Sequence, residues 1–241
     1  MDKTALGNRM KGYEAVSKTK LLRRTPVIIR LDGKAFHTWI RQLSAVDNTL
    51  DIEPYSGVMH DCMRETTKYL MDNIQNAVFA YSQSDEISIL LNDWKRLTTD
   101  QWFDGSIQKI ASVSASMATV AFNEESRRCV FYPPVSPALF DSRVFNVPKE
   151  EVVNYFVWRQ QDATRNSINM LGQFYFSHKQ LHGKNVSQVQ DMLMESYQQN
   201  WNDVDTWKKR GFCVTPMGYD KEIPIFTKDR NFIEQYLESE E

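Results

Sequence analysis

Four short strand-like runs are interleaved with two long helical stripes in this chain, and their order restricts the fold more than any other feature. Val27–Leu31 is apolar and β-branched with a proline before it, which reads as a buried strand. Residues 54–74 place Tyr55, Val58, Met59, Cys62, Met63, Thr66 and Leu70 on one helical face, with Pro54 in the first turn. Ala77–Tyr81 and Ile87–Leu91 read as a strand pair about a turn at Ser82–Asp85. Residues 102–122 give a second stripe, with Ile107, Ile110, Ala111, Ser114, Met117, Ala118 and Ala121 together, and Val144–Val147 is a fourth strand. The order β-α-β-β-α-β is that of the ferredoxin-like split unit. We therefore expect an α+β fold with a core over about residues 26–147.

That topology has a consequence for two acids. It makes the first and third strands central, antiparallel neighbours. Asp32 ends the first strand and Asp85 precedes the third, so both would lie at one edge of the sheet.

Beyond the core, Pro148 to about Leu171 reads as a helix, with Glu150 and Glu151 near the positive end of its dipole. Residues 186–197, Asn231–Leu237 and Leu6–Val16 also read as helical, and Gly211–Thr215 and Ile223–Phe226 as short strands. The expected organisation is a single catalytic domain over 1–241, with 148–241 as a helical extension.

Bulk properties exclude some classes. The 241 residues are 41% hydrophobic and 25% charged, ordinary for a globular protein. No apolar run approaches the roughly 20 residues of a membrane span, and Met1-Asp2-Lys3-Thr4 lacks the layout of a signal peptide. Three widely spaced cysteines indicate neither a disulfide framework nor a CxxC metal site, so a cytoplasmic location is expected. A net charge of −2 neither demands nor excludes nucleic acid. Arg23-Arg24, Arg127-Arg128 and Lys208-Lys209-Arg210 are local clusters that suit RNA or an ordinary solvated surface.

Two carboxylates at one sheet edge suit Mg²⁺, which takes one or two protein carboxylates beside water and phosphate oxygens. A pair of such ions serves both attacking and leaving oxygens in phosphoryl transfer. Taken singly, Asp32 before Gly33 and the Ser84-Asp85-Glu86 turn are also common turn chemistry. Gly33 permits close backbone approach, Ser84 offers a hydroxyl, and Glu86 suits either a nearby cation or an outer position around an ion. His37 can meet a base or phosphate, or serve structurally, and Lys109 can snorkel to solvent or reach a triphosphate. Arg143 can pair with Asp141, and Trp158, Arg159 and Asn166 form a group that can meet RNA or cap a core. His178 and His182 lack further ligands, which argues against zinc. No GxxxxGK[ST] or GxGxxG phosphate loop is present.

Several stretches in fixed order resemble the tRNA-His guanylyltransferase family and its Thg1-like relatives, which are 3′–5′ RNA polymerases. They are Ile28-Ile29-Arg30-Leu31-Asp32-Gly33-Lys34-Ala35-Phe36-His37, Tyr81-Ser82-Gln83-Ser84-Asp85-Glu86-Ile87-Ser88 and Phe140-Asp141-Ser142-Arg143-Val144-Phe145. Trp158-Arg159-Gln160-Gln161-Asp162 and Gly7-Asn8-Arg9-Met10-Lys11 complete the set. The resemblance implies a polymerase-type palm in which Asp32 and Asp85 ligate two Mg²⁺ ions, assisted by the Gly33 carbonyl. The segment Gly33, Lys34, Ala35, Phe36 and His37, with Ser84 and Lys109, would hold nucleotide; Arg143, Arg159 and Asn166 are RNA-contact candidates on their own residue types, not through the resemblance. It also implies ATP or GTP for activation of a tRNA 5′ end, nucleoside triphosphates as substrates, and a homotetramer.

Two departures bear on the branch. Where enzymes adding a G to tRNA-His carry His-Ile-Asn-Asn, this chain reads Thr164-Arg165-Asn166-Ser167. The missing His favours template-directed repair of 5′-truncated tRNA over strict tRNA-His guanylylation. After His37, a Lys-Pro-x-Asp stretch is replaced by Ala45-Val46-Asp47-Asn48, leaving Arg41 as a substitute phosphate ligand. A non-catalytic RNA-binding module on the same scaffold is the alternative from another class.

Overall fold

The computed structural model describes residues 4–46, 54–129 and 136–238. In chain order the elements are α1 (Ala5–Ala15), β1 (Val27–Gly33), α2 (Phe36–Val46), α3 (Gly57–Asn73), β2 (Ala77–Gln83), β3 (Glu86–Leu91), α4 (Ile107–Cys129) and β4 (Phe140–Asn146). There follow α5 (Val152–Tyr175), α6 (His178–Leu181), α7 (Val186–Tyr197), α8 (Thr206–Arg210), β5 (Phe212–Thr215), β6 (Gly218–Asp220) and α9 (Asn231–Glu234).

The sheet has the order β4-β1-β3-β2-β5-β6, and every neighbouring pair is antiparallel. β1 runs from Val27 opposite Leu91 to Asp32 opposite Glu86, so the first and third strands are neighbours as their order requires. Side chains alternate between the two faces. Val27, Ile29, Leu31, Ile87 and Ile89 join residues of α2, α3 and α4 in one apolar cluster. Ile28, Phe79, Tyr81 and Leu90 join α5 and the C-terminal segment in a second. A third cluster packs the distal half of α5 against α7.

Local chemistry explains the helix starts. Ser56 accepts the Met59 N–H at 3.1 Å and caps α3. Asn185 and Gln188 cap α7 reciprocally, each backbone N–H meeting the other's side-chain oxygen at 3.0 Å.

Several elements differ from expectation, among them the short helices α6 and α8, which were not expected, and β4, which begins at Phe140 rather than Val144. α2 was not expected; it inserts a helix between β1 and α3. The expected helix over 102–122 is interrupted, because Phe103 and Asp104 have φ of 49° and 52°, and α4 begins only at Ile107 and runs to Cys129. After Pro148 the chain makes a 3₁₀ turn, Lys149–Glu151, before α5 begins. Ile223–Phe226 is not a strand; β6 at Gly218–Asp220 is the partner of β5 instead. Pro224 removes a ladder donor, and Gln160 of α5 holds this segment, donating to the Pro224 carbonyl at 2.9 Å and accepting from Phe226 N–H at 2.8 Å. Of the departure noted after His37, Asp47 and Asn48 lie outside the described residues. Among the described residues no helix is long and apolar enough to cross a membrane.

Candidate active site

β1 ends in Asp32-Gly33, and the turn between β2 and β3 consists of Ser84 and Asp85, since Gln83 pairs with Glu86. Antiparallel pairing brings the two places together: Asp32 faces Glu86 across the ladder, and Gly33 N–H donates to the Asp85 carbonyl at 3.0 Å. Burial pushes the Asp85 carboxyl up to about 6, and the negative charge of Asp32 pushes the same way. Two hard oxygen donors that repel one another are a donor set a hard divalent cation relieves, so the residues present fit Mg²⁺. Among the described residues no group of three or more His, Cys, Asp or Glu forms a cage, which Mg²⁺ does not require.

The backbone around the acids is strained. Ala35 and Ser84, neither of them glycine, have φ of 56° and 50°. Such conformations cost about 1–3 kcal/mol each and collect at functional sites. Gly33 is required sterically, because a Cβ there would lie 2.3 Å from the Phe36 ring. Phe36 in turn packs against Trp39, Phe122 and Phe140. That contact seats the N-terminus of α2 beside the acid edge, where Thr38 and Trp39 N–H donate to the Ala35 carbonyl at 2.9 and 3.2 Å.

A cleft of about 590 Å³ opens from the Ser84–Asp85 turn. His37 and Arg41 of α2 form one wall, with Arg41 Nη2 donating to His37 Nε2 at 2.6 Å. Asn166, Met170 and Phe174 of α5 form another, and His60 of α3 with Trp207 and Lys208 of α8 a third. Asp32 does not line the cleft. Its half-buried carboxylate lies 3.9 Å from Arg143, which is itself 3.6 Å from Asp141. The two acids thus meet at the rim, with Asp85 lining the cleft and the half-buried Asp32 beside it, near enough for its charge to act on Asp85.

Behind the rim is a buried ion network. Arg159 of α5 grips Glu86 with both prongs, Nε to Oε1 and Nη2 to Oε2, each at 2.7 Å, and both side chains are only 7% exposed. Arg159 also donates to Asp162 at 3.0 Å, and Arg30 Nε lies 3.5 Å from Glu86.

His60 is a further wall residue with a perturbed proton. Burial pulls its imidazole down to about 4, while its ring lies 4.0 Å from that of Trp207 and Nε2 meets the Tyr219 hydroxyl at 2.7 Å. A folded value below the unfolded 6.5 means that the unfolded chain binds the extra proton between these two values. Stability is therefore retained above about pH 6.5 and lost as pH falls toward 4. Replacing His60 with Gln should flatten that part of a melting-temperature profile measured from pH 7 to 4, and an unchanged slope would refute the assignment.

A tRNAHis guanylyltransferase (Thg1) family profile matches residues 7–148, more than half of the chain. The chain belongs to this family. A bacterial tRNA(His) guanylyltransferase (Thg1)-like protein solved in complex with ATP superposes with a TM-score of 0.90 at 46% identity, covering 97% of this chain and 99% of that one. A second such bacterial structure, in complex with GTP, superposes with a TM-score of 0.80 at 41% identity over the same shares. A probable tRNA(His) guanylyltransferase of Homo sapiens is 25% identical over 221 residues, 88% of this chain and 65% of that protein. The tRNAHis guanylyltransferase family is one of nucleotidyltransferases, and the mixed helix and antiparallel-sheet fold matches its solved members.

In this member of the tRNAHis guanylyltransferase family, the expected residues fall into three groups. Asp32, Gly33, Lys34, Ala35, Phe36, His37, Ser84 and Asp85 come together at the rim, with Phe36 mostly buried under Gly33. Asn166 reaches the cleft from α5, and Arg143 reaches Asp32 from β4. Lys109 and Arg159 do not join them. α4 runs antiparallel to β4, with Ser114 bonded to Ser142 and Thr119 to Phe140 N–H, so Lys109 lies toward the Asn146 end, away from Asp32. Arg159, expected as an RNA contact, is corrected to an internal residue, because Glu86 takes its guanidinium out of solvent. His60, Trp207 and Gly211 were not singled out; their elements meet the cleft only through long-range packing.

Proposed function

We propose that this chain is a Mg²⁺-dependent, template-directed 3′–5′ nucleotidyltransferase that repairs 5′-truncated tRNA. The carrying observation is the convergence of Asp32 and Asp85 on one sheet edge at the mouth of a nucleotide-sized cleft. The likeness to bacterial Thg1-like proteins solved with ATP and with GTP supports triphosphate use in that cleft. The four strands β4-β1-β3-β2 have the order a ferredoxin-like palm requires, which supports a palm core with 148–241 as an extension of the same catalytic domain.

In the proposed reaction the tRNA 5′-phosphate is first activated with ATP or GTP. That activation releases pyrophosphate and leaves a nucleotidylated 5′ end. The 3′-hydroxyl of an incoming nucleoside triphosphate then attacks the tRNA 5′ phosphorus, forming the new P–O bond and releasing AMP or GMP, or pyrophosphate where the RNA already carries a 5′-triphosphate. Asp32 and Asp85, with the Gly33 carbonyl, would hold Mg²⁺. When bound, the ions offset charge on the phosphate oxygens. The N-terminus of α2 suits a phosphate, Ser84 offers its hydroxyl, and His37 and Arg41 add donors along the wall. Arg143, 3.9 Å from Asp32, would attract the phosphate of the RNA end to the acid edge. Positioning of this kind supplies most of the catalysis in phosphoryl transfer. We place the enzyme in the cytoplasm as a homotetramer.

The curated relatives named tRNA(His) guanylyltransferase favour a second reading, single G addition to tRNA-His. One assay separates them. With Mg²⁺, ATP, all four triphosphates and a 5′-monophosphorylated tRNA lacking its first nucleotide, sizing of the 5′ end should show the missing, template-matched nucleotide restored. Addition of a lone G to full-length tRNA-His, with no repair of the truncated RNA, would overturn the repair assignment.

A further inference from the structure

Four carboxylates crowd the acid edge: Asp32, Asp85, Glu86 and Asp141. Glu86 lies directly opposite Asp32 in register with β1, where facing Cβ atoms are about 4.5–5.5 Å apart, and its charge adds to the upward push on Asp85. By position alone it is as good a cation ligand as either. Its oxygens are instead both occupied by the Arg159 fork, with Arg30 behind.

We propose that Arg159 is a positioning residue that withholds Glu86 from the metal-binding acid pair, so that only Asp32 and Asp85 face the substrate phosphates. A fork suits this task because a planar guanidinium engages two carboxylate oxygens at once, which a lysine ammonium cannot do. The clamp has a second consequence. Arg159 and Asn166 sit on the same helix, so the bond to Glu86 also ties the α5 wall of the cleft to the strand that follows Asp85. The inference rests on the assignment of Asp32 and Asp85 as ligands.

The test is Mn²⁺ binding counted by EPR on the full-length chain, with and without ATP, alongside melting temperature in EDTA. Arg159→Met frees the Glu86 carboxylate and should tighten Mn²⁺ binding about tenfold or add a bound ion, while nucleotide addition falls by at least about tenfold through kcat rather than KM. Arg159→Met/Glu86→Gln removes both charges and should return Mn²⁺ affinity to that of the unaltered chain. Removing both members of a buried pair costs less than leaving one charge alone, and the melting temperature in EDTA verifies that this variant, which keeps Arg30 and Asp162, is folded. If the single variant does not fold, Arg159→Lys takes its place, with Mn²⁺ binding between the two. A folded Arg159→Met or Arg159→Lys that binds Mn²⁺ as the unaltered chain does would overturn the proposal. Should Asp32→Ala and Asp85→Ala leave Mn²⁺ binding intact, the ligand assignment itself fails, a result distinct from failure of the clamp.

Discussion

Asp32→Ala and Asp85→Ala should each lower nucleotide addition by at least about 10³-fold, since either would remove half of the protein's carboxylate share of the proposed Mg²⁺ site. The stability effects should run the other way. Asp85 carries a carboxyl raised to about 6 by burial and by Asp32, against 3.8 unprotected. At pH 7 the folded protein therefore holds a charge it would rather neutralise, at a cost of about 1–2 kcal/mol after allowance for partial exposure. The sign follows from linkage: a carboxyl raised by folding costs stability above its unfolded value, and the cost is complete once pH passes about 6. Asp85→Asn removes it, so the metal-free variant should melt about 2–6 °C higher than the unaltered chain while being inactive. Calorimetry in EDTA, paired with the 5′-end assay, checks both halves. A variant that melts lower, or that retains activity, would show that Asp85 is a structural turn residue.

Gly211→Ala should be the most damaging single-methyl change. Gly211 joins α8 to β5 with φ +79° and ψ −163°, a conformation open essentially to glycine alone. An added Cβ would sit 2.2 Å from the Ser82 carbonyl oxygen and 3.0 Å from Gln83 Cβ, and backbone cannot step aside as a flexible side chain can. Ser82 and Phe212 are ladder partners, so relief of the clash separates β5 from β2 just before the Ser84–Asp85 turn. We expect a loss of about 3–5 kcal/mol, combining backbone strain and overlap, and reduced nucleotide addition in whatever fraction remains folded. Urea unfolding measures the first quantity. A loss under about 1 kcal/mol would mean that the junction relaxes without cost.

The acid edge was legible because it depends on local signals. A β-branched run ending in Asp-Gly marks a strand end, and Ser84-Asp85 between two strand-like runs marks a tight turn. Once the strands are ordered, antiparallel pairing does the rest, and Asp32 meets Glu86 across the ladder. α2 was legible but not read: Phe36, Trp39, Ile40 and Leu43 recur at helical spacing on one face, and the phosphate-and-turn reading of Lys34–His37 masked it. The Trp102–Gly105 break was hidden because nothing in an apolar stripe announces two residues with positive φ.

Arg159 marks the boundary between the two kinds of information. In sequence it is a cation next to a tryptophan, Trp158, a pairing that equally suits a surface contact. Only its partner decides, and that partner is Glu86, 73 positions earlier in the chain. The same holds for the cleft, whose walls come from α2, α3, α5 and α8. Sequence by itself determined the four core strands, the acids at their ends and the family to which those motifs belong, because hydrophobic period and turn chemistry act over a few residues. Tertiary structure alone decided which carboxylates stay free, which arginine is buried and which aromatic rings face the cleft, because desolvation and ion pairing depend on neighbours that only packing brings within reach.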